Sequence, residues 1–248
     1  MNEVLAKPLP TAPRPIAFSV LRVPFMLEPE YDENRVYVES NRDRLVKKWG
    51  GKQGWERQKR NHDLKGRGLD AGIPHFNLDR LAANSMASHR LIQWIGKTYG
   101  LQVSETIYDL LNTYYFVDGH SLNDKPRLAQ VVAAKLAELS ASFVANSPAP
   151  ATEAELFEFL NGNQGRAEIE QALVALNELG VHGIPKFVIE GQRVVDGAAH
   201  SSVFVRIFRE IEARGQVQGP PVFADILGVS DDILQQGSHH VPQEDVAA

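Results

Sequence analysis

Hydrophobic residues recur at helical spacing through most of the middle of the chain. Leu91, Trp94, Ile95 and Thr98 share one face of a predicted helix that Asn84 is placed to cap and that Gly100 ends. Three further helices are predicted by the same spacing, with apolar positions at Val103, Ile107, Leu110, Leu111 and Tyr114, at Leu128, Val131, Val132, Leu136 and Leu139, and at Leu156, Phe159 and Leu160. The pattern predicts an almost entirely helical block over residues 35–162.

β-type patterns occur at two distant places. The run "IAFSVLRV", residues 16–23, lies between prolines and predicts a strand. Residues 186–190, "KFVIE", and 193–195, "RVV", are separated by Gly191-Gln192 and predict a hairpin. A single strand cannot form a sheet alone, so we expect residues 16–23 to pair with the hairpin.

The order of these elements predicts an α/β domain interrupted by a helical insertion. Residues 16–34 and 163–214 would form the α/β domain, and residues 35–162 would form the inserted all-helical domain. Residues 1–15 contain four prolines and predict a disordered leader. Residues 215–248 predict a tail that is partly disordered, with one short helix after Ser230.

Composition narrows the classes of function. The 248 residues include 26 Lys and Arg against 31 Asp and Glu, a net charge of −5, which predicts neither nucleic acid nor membrane as a partner. No apolar run reaches the ~18 residues of a membrane span, and the N-terminus lacks the apolar core of a secretory signal, so a cytoplasmic location is predicted. The chain contains no cysteine, which excludes disulfides and cysteine nucleophiles. The histidine spacing predicts no metal site.

Four stretches resemble one family. "GVHGIPKFVIEGQRVVDGA" at 180–198, "PFMLEP" at 24–29, "NSMASHRLIQW" at 84–94 and "YFVDGHSLND" at 115–124 are similar to the FrnE-like branch of the DsbA-like thioredoxin superfamily. The resemblance implies a thioredoxin-like sheet with an inserted helical domain, and thiol-disulfide oxidoreductase chemistry. The family's opening unit, a strand leading into Cys-x-x-Cys, has no counterpart here. We therefore expect a sheet without its first strand and a chain that is redox-inactive.

The same resemblance implies the site residues. Gly183 and a cis bond between Ile184 and Pro185 would form a turn whose main chain pairs with an extended peptide or thiol substrate. Asn84, His89 and Arg90 match a pattern on the family's helix that faces the active site. Alternatively, Asn84 caps the helix while His89 and Arg90 make intramolecular hydrogen bonds.

Three functions remain open at this stage. The first is membership of the oxidoreductase family without catalytic cysteines. The second is a non-catalytic protein that binds a peptide or partner in the groove beside Ile184 and Pro185. The third is a glutathione-dependent transferase or isomerase of the kappa type, although its serine would lie on the missing opening unit. Glutathione at Ile184 is the one cofactor that the resemblance suggests, and an exposed sheet edge would offer a surface for oligomers.

Overall fold

A computed structural model describes residues 1–13, 16–37, 39–70, 72–73, 75, 77–197 and 199–236. In this part of the chain, helices dominate and one small antiparallel sheet follows them. The elements in chain order are α1 (Asn2–Ala6), α2 (Asn41–Lys48), α3 (Lys52–His62), α4 (Leu64–Asp70), α5 (Met86–Tyr99), α6 (Leu101–Asn112), a π-helical turn (Thr113–Val117), α7 (Lys125–Glu138), a 3₁₀ turn (Ser140–Ser142), α8 (Glu153–Asn161), α9 (Arg166–Glu178), β1 (Lys186–Ile189), β2 (Arg193–Asp196), α10 (Ser201–Arg214), α11 (Val222–Leu227) and α12 (Asp231–Gln236).

Helices α5 to α8 form the largest hydrophobic core. The predicted helix N-caps are present. The side chain of Asp124 accepts the Arg127 N–H at the start of α7, and Thr152 with Glu155 forms a capping box at the start of α8. The fully buried side chains of this core include Leu91, Ile95, Ile107, Leu128, Leu136 and Leu156. The prediction of helices in this region is confirmed.

The predicted hairpin is confirmed, and helices lie against both of its faces. Its predicted two-residue turn, Gly191-Gln192, is wrong, because Ile189 pairs with Arg193 and residues 190–192 form a three-residue loop. β1 and β2 pair antiparallel with Phe187 opposite Val195 and Val188 opposite Val194. Val195 packs on Ile207 of α10 in a small core, while Val188 packs against a separate core built mainly from α9, α11 and α12. Because successive strand residues point to opposite faces, the alternation of the sequence places one valine in each core.

The predicted strand over residues 16–23 is wrong. These residues run as extended chain that forms one isolated β-bridge, at Phe18, and no strand, and β1 and β2 form the only sheet in the described part of the molecule. Leu21 packs in the core of α9 and α11, and the Arg22 carbonyl accepts a hydrogen bond from the side chain of Gln93 on α5. The apolar residues of this segment are partly buried, Leu21 and Val23 against the core of α9 and α11 and Phe18 against Phe208 of α10.

The predicted disorder of the leader is wrong for residues 1–13. Helix α1 buries Val4 and Leu5, and the Leu9 N–H donates to the buried carboxylate of Glu212 on α10 over 2.7 Å. A carboxylate taken out of water needs such donors, and Arg209 supplies a further one at 2.5 Å. In the tail, α12 confirms the helix predicted after Ser230, while residues 14–15 and 237–248 lie outside the described residues.

Among the described side chains of α2, α3 and α4, none belongs to the three cores. The three helices are joined to the rest of the protein by ion pairs of Arg42 with Asp79 at 2.5 Å and of Lys47 with Glu39 at 2.6 Å, and by a hydrogen bond from the Asn41 N–H to the Arg80 carbonyl at 2.8 Å. No helix in the described ranges has the length and apolar character needed to cross a membrane. The proposed domain boundaries remain a prediction.

Candidate functional site

The turn before β1 exposes the predicted binding residues. Helix α9 ends where Gly180 adopts φ +71°, a conformation that favours glycine, and the Val181 N–H bonds back to the Leu176 carbonyl. The chain then leaves the core, and the predicted cis bond between Ile184 and Pro185 is confirmed. Ile184 is 51% exposed and Pro185 is also exposed.

The main chain of this turn is free to bind. No hydrogen bond joins the N–H or carbonyl of His182, Gly183 or Ile184 to any residue that the structure describes. Exposed main-chain groups of this kind do not reduce the stability of the fold, because they form hydrogen bonds with water. They can exchange these for hydrogen bonds with a second chain. The turn therefore offers polar groups beside the apolar side chain of Ile184.

The open edge continues along β1. The Gly197 N–H donates to the Pro185 carbonyl over 3.0 Å, so these two residues form a hydrogen-bonded pair of the ladder. In an antiparallel ladder such pairs alternate with pairs whose N–H and C=O groups point away from the partner strand. By this alternation Lys186 and Val188 direct their main-chain groups away from β2, to the edge that also carries Ile184.

Gly197 packs so closely against Pro185 that there is no room for a side chain at position 197. A Cβ atom at position 197 would lie 2.2 Å from Pro185 Cγ and 2.7 Å from the Pro185 carbonyl oxygen. Only a residue without a side chain fits there. Gly197, Lys186 and Val188 were not among the site residues predicted from the sequence, although the alternation of the hairpin residues after Pro185 is a signal that selects the edge positions.

Asn84 connects helix α5 to the preceding loop. Its side-chain oxygen accepts the Met86 N–H at 2.9 Å, which caps the helix from one residue before the formal cap position, Ser85. Its amide nitrogen donates to the carbonyls of Pro29 and Tyr31. All the polar atoms of this buried side chain are used within the protein.

His89 lies on the same helix and is half-buried. Its Nε2 lies 3.2 Å from the Phe25 carbonyl, a contact in which the ring nitrogen donates. Burial lowers the pKa of His89 to about 4, and the Phe25 carbonyl opposes this shift only in part. The side chain is therefore neutral at physiological pH and holds residue 25 against α5.

We expect the neutral state of His89 to make the fold sensitive to acid. The unfolded chain binds a proton near pH 6.5, whereas folded His89 binds one only near pH 4. Between these values the unfolded state binds more protons, so the free energy of unfolding falls as the pH falls, by about 3 kcal/mol in total. Urea unfolding of wild type and His89→Gln at pH 7 and pH 4.5 tests this. The variant should lose less stability on acidification, and parallel losses would contradict the assignment.

Arg90 is a buried cation that holds the end of helix α8. Its Nε donates to the Gln164 carbonyl at 2.7 Å and its Nη2 to the Phe159 carbonyl at 2.8 Å, and the guanidinium lies over the Phe159 ring. Burial lowers the pKa of Arg90, and the nearby cation Arg166 lowers it further. Its charge is balanced by the carbonyls at the negative C-terminal end of α8.

The predicted site residues thus fall into two groups. Gly183, Ile184 and Pro185 are together at the surface, while Asn84, His89 and Arg90 make intramolecular contacts around α5, as the alternative interpretation expected. No hydrogen bond, ion pair or ring contact joins the groups among the described residues. A ligand-binding role for the α5 group remains a prediction.

Other features of the described residues add no chemistry at this site. A cleft of about 600 Å³ lies between the end of α5 and α12 and includes none of the predicted site residues. Among the described residues, no three His, Asp or Glu side chains converge in a way that could hold a metal ion.

No protein-family model matches the chain, and no curated protein is significantly similar to it in sequence.

Proposed function

We propose that this protein is a non-catalytic member of the DsbA-like thioredoxin superfamily, of the FrnE-like type, that binds extended polypeptide at the edge of its hairpin. The observation that carries the proposal is the turn at Gly183, Ile184 and Pro185, in which the main-chain groups of Gly183 and Ile184 have no hydrogen-bond partner in the described part of the protein. The neighbouring edge of β1 continues the same row of main-chain groups.

Binding would occur by strand addition. An extended peptide placed along β1 exchanges main-chain hydrogen bonds with Lys186 and Val188 and with the exposed main chain of Ile184. The exposed side chains of Ile184 and Phe187, 51% and 45% accessible, supply apolar contact next to these bonds. Main-chain pairing gives affinity with little dependence on the peptide's sequence.

The absence of cysteine separates binding from redox chemistry. No residue of this chain can attack a disulfide as a thiolate or resolve a mixed disulfide. We therefore expect peptides with and without disulfides to bind equally well. Glutathione, which also offers an extended main chain, would compete at Ile184 if the chain were related in function to kappa-type enzymes.

A substitution at Lys186 tests the proposal. Lys186→Pro removes the edge-facing N–H without removing a ladder donor to β2, because proline is tolerated at strand edges. Loss of one main-chain hydrogen bond should weaken binding about tenfold. The measurement is fluorescence anisotropy of a labelled, cysteine-free peptide of alternating Val and Thr residues.

Lys186→Gln is the matched control. Like Lys186→Pro, this substitution removes the ion pair with Asp196, which is exposed and contributes little to stability. Unlike Lys186→Pro, it keeps the main-chain N–H of residue 186. Its affinity should equal that of wild type. Equal affinities of all three proteins, or no binding of the peptide to wild type, would contradict strand addition at this edge.

A further inference from the structure

Charge is strongly segregated along the chain. Residues 41–70, which contain α2, α3 and α4, carry ten Lys and Arg against four Asp and Glu, a net charge of +6. The whole chain carries −5, so the remaining residues carry −11. The expectation of no nucleic-acid partner rested on the average over the whole chain, and this average conceals a basic helical segment.

The packing of α3 on α2 determines which side of α3 faces solvent. Gly54 is buried, and a Cβ atom there would lie 1.8 Å from the Trp49 carbonyl oxygen, so Gly54 faces α2. At about 100° per residue, Lys52, Arg57, Lys59 and Arg60 occupy an arc of roughly 160° whose centre lies about 140° around the helix from Gly54. All four side chains are exposed.

The cations of this segment divide into two sets. Arg42, Arg44 and Lys47 form ion pairs with residues outside the three helices, and so attach the segment to the protein. Five other exposed cations have no ion pair with any described residue; they are Lys48, Lys52, Arg57, Arg60 and Arg67. Three of them, Lys52, Arg57 and Arg60, lie on the exposed arc of α3, and we call these three the basic surface.

We propose that the basic surface binds the phosphate backbone of nucleic acid without sequence specificity. Unpaired, exposed cations gain most from a polyanion whose condensed counterions they release. Insertion into a membrane is disfavoured because the only apolar side chain of α3 is the half-buried Trp55. A protein partner is disfavoured because the surface lacks the buried apolar anchors that dominate such interfaces.

The test compares two triple variants that remove the same charge. Lys52→Gln/Arg57→Gln/Arg60→Gln alters the basic surface, and Lys125→Gln/Arg127→Gln/Lys135→Gln alters α7. Binding to a labelled DNA duplex and to a single-stranded RNA, both of mixed sequence, is measured by anisotropy as a function of salt. Circular dichroism confirms that both variants are folded.

We expect wild type and the α7 variant to bind alike. The α3 variant should bind at least about tenfold more weakly at low salt, and its slope of log K against log salt should fall by about 2 to 3. The duplex and RNA measurements show which nucleic acid is preferred. The proposal is overturned if wild type binds neither, if both variants lose affinity equally, or if anionic phosphatidylserine vesicles bind while the nucleic acids do not.

Discussion

Replacing Gly197 by alanine is expected to destabilise the protein by about 2 to 3 kcal/mol and to weaken peptide binding at least about tenfold. The new methyl group would lie 2.2 Å from Pro185 Cγ and 2.6 Å from its Cβ, well inside van der Waals contact. Either the ladder bond from Gly197 to Pro185 breaks or the turn carrying Ile184 moves. Both changes disturb the edge at which we place the peptide.

Gly183→Ala is the control for this prediction. Gly183 belongs to the same turn, but a Cβ atom there meets nothing within 4 Å. The substitution should change stability by less than about 0.5 kcal/mol. Urea unfolding and peptide anisotropy on both variants provide the measurements. If Gly197→Ala behaved like Gly183→Ala, the contact between Gly197 and Pro185 would not position the turn.

Replacing Arg90 by methionine is expected to cost about 3 kcal/mol. Methionine fills much of the volume, but the carbonyls of Phe159 and Gln164 lose charge-assisted donors in a region where Arg90 itself is only 1% exposed. Hydrogen bonds to charged groups contribute roughly 1.5 to 3 kcal/mol, and acceptors left unpaired in the interior add to the loss. Urea unfolding at neutral pH measures the effect.

Arg166→Met provides the comparison for Arg90. Arg166 lies near Arg90 but is partly exposed, and it pairs with Glu33 at the surface. Such a pair contributes about 0 to 1 kcal/mol. Equal losses for the two variants would show that Arg90 is not the support of α8 that its contacts indicate.

Local signals in the sequence predicted much of the fold. The capping residues Asp124 and Thr152 and the apolar stripes of α5 to α8 specify those helices without reference to the rest of the chain. The β-type runs on either side of Gly191 likewise specify the hairpin, although its loop spans residues 190–192 and not the predicted two residues. These features depend on contacts between residues close in sequence, so the order of polar and apolar residues is enough to predict them.

Long-range contacts were not predictable in the same way. Residues 16–23 have strand-like composition, yet a strand also needs a neighbour, and the side chains of Gln93 and of the α9 core bind this segment instead. Leu9 is ordered by Glu212, which is distant in sequence. For the candidate site, the cis bond at Pro185 followed from the family resemblance, whereas the closeness of Gly197 to Pro185 required coordinates.

Amide hydrogen exchange, resolved by residue with NMR, tests the proposed peptide site most directly. On saturation with the Val and Thr peptide, exchange of the Lys186 and Val188 amides should slow markedly, together with that of Ile184. The Phe187 and Ile189 amides already face β2 and should change little. Peptide binding that protects amides elsewhere and leaves this alternating set unchanged would contradict strand addition at the hairpin edge.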